Sequence, residues 1–364
     1  MPAQHDIRFC TTADGVRLAI GICGKGPPVV KAATWLTHLE HDLSSPFARH
    51  WVAEFSRNHS FVNYDARGCG LSDRRVGDIS MEAWLEDLDT VVDSLGMERF
   101  PLIGISQGAA IAVAYAARHP QKVSRLVLLG GFARAYFSTQ NPDPKVLEEG
   151  EALLQAAKLG WGSDNAAFRQ VFVAKFLGNA TAEQQRAFDE RQRVTVTPEM
   201  AVRYMRAMFS VDVKEIARRI TCPTLVFHAR DDRLIYFDQG RKLAALIPGA
   251  RFVPLESSNH IPFEDEPAWA QFVREVRPFL AADAAADPAE AVVATPPEAN
   301  RSLTPRQVEI LRHVAHGLTD KEVARKISLS PRTVEMHMAR AMAALECRTR
   351  AEAVRKAGEL RLIS

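Results

Sequence analysis

Eight short apolar runs, most of them separated by helical stretches, constrain the fold of this chain more than any other feature. Ile7–Cys10 and Val16–Cys23 read as strands around an Asp14–Gly15 turn. Val29–Ala33, Phe61–Tyr64, Phe100–Ile103, Val127–Leu129, Thr224–Phe227 and Arg251–Pro254 follow. Helical patterns such as Met81–Leu95 and Gly108–Arg118 lie between them. That alternation predicts an α/β fold, a mostly parallel sheet covered by helices. From Ala133 to about Asp212 the strand signal stops, and helical stretches such as Lys145–Leu159 and Ala182–Gln192 take over. This segment is expected to form a helical cap over the sheet.

A chain of 364 residues is long for one core and suggests two domains. The boundary falls at Ala281–Asn300, where nine of twenty residues are Ala and three are Pro. This reads as an extended tether between residues 1–280 and 301–364. Charge divides at the same place. Residues 301–364 hold 13 Lys and Arg against 7 Asp and Glu, whereas residues 1–300 hold 33 against 37. A small basic unit on a mildly acidic body suits a polyanionic partner.

The N-terminal MPAQHDIRFC shows no basic region leading into an apolar stretch. No apolar run reaches the roughly 18–20 residues that span a bilayer. The five cysteines are scattered, and no pair has metal-ligand spacing. The expectation is a cytoplasmic protein with reduced thiols, no membrane partner, no metal and no cofactor.

Gly104-Ile-Ser-Gln-Gly108 follows an apolar strand and opens a helix of small residues, AAIAVAYAAR. In that setting Gly-x-Ser-x-Gly forms a sharp elbow that lifts the Ser106 hydroxyl to a helix N-terminus. A serine nucleophile needs a base, and the base needs an orienting carboxylate. Asp232, with Asp231 beside it as the alternative, ends the strand Thr224–Phe227, and His260 lies in the loop after Arg251–Pro254. These candidates fall at carboxyl ends of strands, where open α/β sheets build their sites.

With Asp65-Ala-Arg-Gly-Cys-Gly-Leu-Ser72, the elbow, the LVFHARDD strand and Asn259-His260, residues 1 to about 280 resemble the α/β-hydrolase fold family. The resemblance implies Ser106 as nucleophile, His260 as base and Asp232 as acid. Family members usually carry His-Gly after the third strand; here Ala33-Thr34 stands in its place. Backbone N–H groups of Trp35 and Gln107 are then the expected oxyanion donors. Thr34, His38 and His41 are expected near the pocket mouth. A cap over this triad would enclose an apolar small-molecule cavity.

Beyond the tether, start signals repeat. Thr304-Pro-Arg-Gln307, Thr319-Asp-Lys-Glu322 and Thr349-Arg-Ala-Glu352 read as capping boxes, and Ser330-Pro331 caps another helix. The second and third helices are joined by Ser328-Leu329-Ser330, which is helix-turn-helix spacing. On the third helix Val334, Met338, Ala341, Met342 and Leu345 should face the core. Arg332, Thr333, Glu335, Met336, His337 and Arg340 should face DNA, and Lys321, Arg325 and Lys326 should approach phosphates.

The blocks LTPRQVEIL, GLTDKEVA and LSPRTVEMH closely resemble the LuxR-type helix-turn-helix family, although Glu335 stands where a Lys is often found. This resemblance implies that the third helix reads double-stranded DNA. It also implies that a fourth, around Glu352–Ala357, pairs two copies on an inverted repeat. Two functions fit: a homodimeric transcriptional regulator sensing an ester, lactone or acyl ligand, or a serine hydrolase with an accessory C-terminal domain.

Overall fold

The computed structural model describes residues 6–135, 144–163, 166–286, 303, 305–327, 329–345, 347, 349–359 and 362–363. The chain divides into two compact units, Met1–Val293 and Ala294–Ser364.

Eight strands build the sheet of the first unit: β1 (Asp6–Thr11), β2 (Arg17–Cys23), β3 (Pro28–Lys31), β4 (Ser60–Tyr64), β5 (Phe100–Ile105), β6 (Val123–Leu129), β7 (Thr224–Ala229) and β8 (Arg251–Leu255). Its helices are α1 (Leu39–Ser44), α2 (Arg49–Phe55), α3 (Met81–Ser94), α4 (Gln107–Arg118), α5 (Pro144–Gly160), α6 (Ala166–Phe176), α7 (Ala182–Thr195), α8 (Pro198–Phe209), α9 (Lys214–Ala217), α10 (Phe237–Leu246) and α11 (Pro267–Ala286). Strand order is β1-β2-β4-β3-β5-β6-β7-β8. From β4 across to β8 the strands run parallel, and the β1–β2 hairpin joins antiparallel through β2 to β4.

Consecutive apolar residues serve opposite faces of this sheet. Val30, Leu102, Leu126 and Leu128 pack into the core shared with α3, α4 and the helices between β6 and β7. Their neighbours Val29, Ile103, Val127 and Leu129 pack against Trp51, Phe55, Trp269 and Phe272 of α2 and α11. This explains why the strands read as unbroken apolar runs.

Helices α5 to α8 form an insert between β6 and β7, pinched at its base. Ala135 N–H donates to Val211 O at 2.9 Å, and Val213 N–H donates to Ala133 O at 2.8 Å.

One expectation is corrected. α11 continues to Ala286, six residues into the stretch read as an extended tether. Ala has the highest helix propensity, so AADAAA prolongs a helix already packed on the sheet. The remaining tether residues, 287–300, lie outside the described residues.

His50, on α2, is 3% exposed, with Nε2 3.1 Å from Pro262 O and Trp269 edge-on at 4.5 Å. Burial pushes its imidazole down to about 4. A base depressed on folding contributes stability in full above its ordinary pKa, which is lost as pH falls from about 6.5 towards 4. A shift of that size corresponds to roughly 3 kcal/mol. His38, His41 and His59 are also lowered by burial. In thermal melts at pH 7 and pH 5, His50→Gln should therefore shrink, without abolishing, the acid-induced drop. An unchanged drop would dismiss His50 as a source.

The second unit holds α12 (Pro305–Ala315), α13 (Asp320–Lys326), α14 (Pro331–Ala344) and α15 (Arg350–Glu359). They close around Ile310, Leu311, Val323, Val334, Met338 and Leu345.

Candidate functional site

Between β5 and α4, Ser106 adopts φ 54° and ψ −124°, the one positive φ at a non-glycine among the described residues. Such backbone costs on the order of 1–3 kcal/mol and persists only where its surroundings enforce it. Here Ser106 N–H donates to Leu129 O at 2.8 Å. The flanking glycines are needed for space. A Cβ on Gly104 would lie 2.6 Å from Ala109 Cα, and one on Gly108 would lie 3.1 Å from Ala32 O. Ser106 is 8% exposed.

Asp232 and His260, from the loops after β7 and β8, are joined by a 2.6 Å bond between His260 Nδ1 and Asp232 Oδ2. The other carboxylate oxygen accepts the N–H groups of Leu234 and Ile235 at 2.8 and 3.0 Å. Burial opposes the charge on Asp232, but His260 and His228 hold its carboxyl well below the usual range. An ionised acceptor holds a proton on Nδ1, so that in the neutral ring Nε2 carries the lone pair. Nε2 is buried and has no hydrogen-bond partner among the described residues. Gly130 lies against this ring, since a Cβ there would be 2.9 Å from His260 Cε1. Ser106 Oγ and His260 Nε2 are not hydrogen-bonded to each other, the contact a serine nucleophile and its base would have to make for acyl transfer. Asp231, the alternative acid, is exposed.

Trp35 N–H donates to Gln107 Oε1 at 3.2 Å. The two residues expected to supply oxyanion donors therefore bond to each other, and Oε1 must swing away before the Trp35 amide meets a ligand. The amide of Gln107 is the first of α4 and has no intrahelical acceptor. Thr34 lines a small cavity beside Ser106. For His38 the pocket assignment is corrected: its Nδ1 caps α1 by accepting from His41 N–H at 3.4 Å, and it lines neither cavity described below. Position in a short N-cap, rather than proximity to the third strand, sets its orientation.

Two cavities meet at Ser106. The larger, about 640 Å³, is mainly apolar and is walled by Phe132, Leu153, Phe172, Met205 and Leu246. The smaller, about 60 Å³, has Lys31, Asp42, Asn63 and Arg191 in its wall. Sequence reasoning missed these four. Lys31 and Asn63 are polar residues within otherwise apolar strands, and that interruption was the available signal.

In the second unit, the Glu322 carboxylate accepts from Thr319 N–H and Oγ at 2.8 and 2.7 Å, fixing the start of α13. Ser330 Oγ accepts Thr333 N–H at 3.1 Å, fixing the start of α14. Lys321, Arg325, Lys326 and Glu335 are exposed, while Thr333 and His337 are half-buried. Thr333 Oγ1 also bonds Ser330 Oγ at 2.7 Å, so it shares in capping. Thr304, Ser328 and the side chains of Arg332, Met336 and Arg340 lie outside the described residues. Val334, Met338, Ala341 and Leu345 are buried, as their spacing predicts, with Met342 packed beside them.

Comparison with known proteins agrees with this division. Residues 37–267 match the family described as "alpha/beta hydrolase fold", and residues 301–357 match "Bacterial regulatory proteins, luxR family". The 2-hydroxy-6-oxo-2,4-heptadienoate hydrolase of Pseudomonas putida is 28% identical over 269 residues, covering 71% of this chain and 87% of that protein. An enol-lactonase from Burkholderia xenovorans LB400 superposes with a TM-score of 0.61 at 25% identity, covering 75% of this chain and 100% of that one. An esterase from Exiguobacterium antarcticum gives a TM-score of 0.63 at 23% identity, over 75% of this chain and 98% of the esterase. No helix among the described residues is long and apolar enough to cross a membrane.

Proposed function

Since this chain belongs to the α/β-hydrolase fold family and ends in a LuxR-type DNA-binding domain, we propose that it is a transcriptional regulator whose first unit senses a small ester, lactone or acyl compound at Ser106. The observation that carries this reading is a 640 Å³, mainly apolar cavity opening onto Ser106 in a chain that also holds a helix-turn-helix unit. Ligand binding would favour one state of the chain over another and so change DNA affinity. In the second unit α14 reads base edges with Arg332, Glu335, Met336, His337 and Arg340. Lys321 and Arg325 approach phosphates, and α15 pairs two copies as a homodimer on an inverted repeat.

The Asp232–His260 bond and the unpartnered Nε2 favour a second reading, in which the same site turns its ligand over. Ser106 Oγ would attack the carbonyl carbon as its proton passes to His260 Nε2. That proton would then go to the departing alkoxide, leaving an acyl-Ser106. Water would release the acid by the same route, returning the proton to Ser106. The N–H groups of Trp35 and Gln107 would bond the developing oxyanion.

Fluorescence anisotropy with a palindromic duplex tests the regulator reading. Binding should weaken steeply as salt rises, because Lys and Arg displace counterions from phosphates. No binding at low salt, with or without an acyl ligand, would sink it.

A further inference from the structure

The smaller cavity at Ser106 is lined by charged side chains, and nothing in the acyl-transfer chemistry above uses them. Asp42, Asn63 and Arg191 are each 5% exposed. Arg191 reaches in from α7 and pairs with Asp42 through Nη1 and Nη2, while Phe47 lies under its guanidinium at 5.1 Å. Among the described residues Arg191 Nε, a donor, has no hydrogen-bond partner, and neither has Asn63 Oδ1, an acceptor. Both atoms are buried, where an unmet polar atom is costly. Lys31, the last residue of β3, enters the same wall; burial pushes its ammonium down to about 8 despite the nearby Asp42.

Two cationic side chains thus face one paired carboxylate. The next acidic group, Asp65, is pushed up to about 7 by burial, and its Oδ2 is already bonded to Leu39 and Leu71 N–H. With Asp42 paired to Arg191, Lys31 is left as the cation of this wall that has no ion-pair partner among the described residues. A volume of about 60 Å³ accommodates roughly four water-sized groups, the size of a carboxylate with a short stem.

Resting on the ligand-sensing reading above, we propose that this cavity is a subsite for a carboxylate carried two or three bonds from the carbonyl at Ser106. Lys31 and Arg191 supply the charge. The ligand class is then an acyl compound with a long hydrocarbon arm and a short acidic arm.

The test is a pair of hydrolysis-resistant amides, N-decylsuccinamic acid and N-decylbutyramide, which differ in place of one terminal group. Both are titrated against the full chain by tryptophan fluorescence, since Trp35 lines both cavities. The acid should bind about tenfold tighter or more, the worth of one charge-assisted bond. Lys31→Met should shrink that advantage by weakening binding of the acid. The cationic N-decyl-3-aminopropanamide, measured on the unaltered chain, should bind weakest of the three, and this readout stands even if the variant does not fold. Equal affinity for acid and butyramide would mean that water or a neutral group fills the cavity, and would overturn the subsite while the sensor reading survives. An acid advantage that persists in both Lys31→Met and Arg191→Met would overturn it too. If neither amide binds, the ligand cavity and the subsite fall together.

Discussion

Replacing Ser106 by Ala should abolish covalent labelling by a fluorophosphonate and reduce any ester turnover by a factor on the order of 10⁵ or more, without unfolding the protein. Both serine and alanine carry a Cβ, so the strain of φ 54° is common to both side chains. The Ser106 N–H bond to Leu129 O is made by backbone and survives. Only Oγ is lost, and with it the atom that would be acylated. Mass spectrometry of labelled protein and the anisotropy titration together separate the two readings. If the unaltered chain is not labelled at Ser106, the turnover reading is wrong. If Ser106→Ala removes labelling but keeps a ligand-dependent change in DNA affinity, sensing does not need acylation. If both disappear together, the acyl-serine is itself the signal.

Arg67→Met should lower unfolding free energy by about 3–5 kcal/mol, the usual penalty for removing one partner of a buried ion pair. The Arg67 side chain is 0% exposed and binds two carboxylates from distant segments. Its Nε and Nη2 donate to Asp87 on α3 at 2.9 and 2.7 Å, and its Nη1 donates to Asp14 in the β1–β2 turn at 2.8 Å. Burial pushes the Asp87 carboxyl up to about 6 even with the guanidinium beside it. Without Arg67 that carboxylate is a buried charge with no counterion. Urea unfolding at pH 7.5 measures the loss, and adding Asp87→Leu should restore part of it. A loss below about 1 kcal/mol would show that the network is not a structural tie.

This second case shows where sequence reading was partial. The stretch Asp65 to Ser72 was legible as a family mark, but its role was not. In the structure it forms a corner: Ser72 Oγ donates to Asp65 O at 2.7 Å and accepts Ala19 N–H at 2.9 Å. Asp14 and Asp87 are 53 and 20 residues from Arg67, and no local pattern links them. The strands and the Ser106 turn were legible because periodicity and glycine spacing are local properties. The first six tether residues were misread because alanine-rich composition was taken as extended, whereas α11 gave it a helix to prolong. The polar cavity stayed hidden because Lys31, Asp42, Asn63 and Arg191 converge only after the insert folds back. His38 was misplaced because nearness in sequence to β3 says nothing about which way a helix cap turns.

The two hollows that share Ser106, Trp35 and Phe176 differ about tenfold in size. A molecule seated with its carbonyl at the hydroxyl is divided there into unequal lengths. On the proposed reading, selectivity depends on where along a compound the reactive carbon sits. Isomers of one formula, with the same functional group moved by a few carbons, would be told apart as if by a ruler with its zero mark at Ser106.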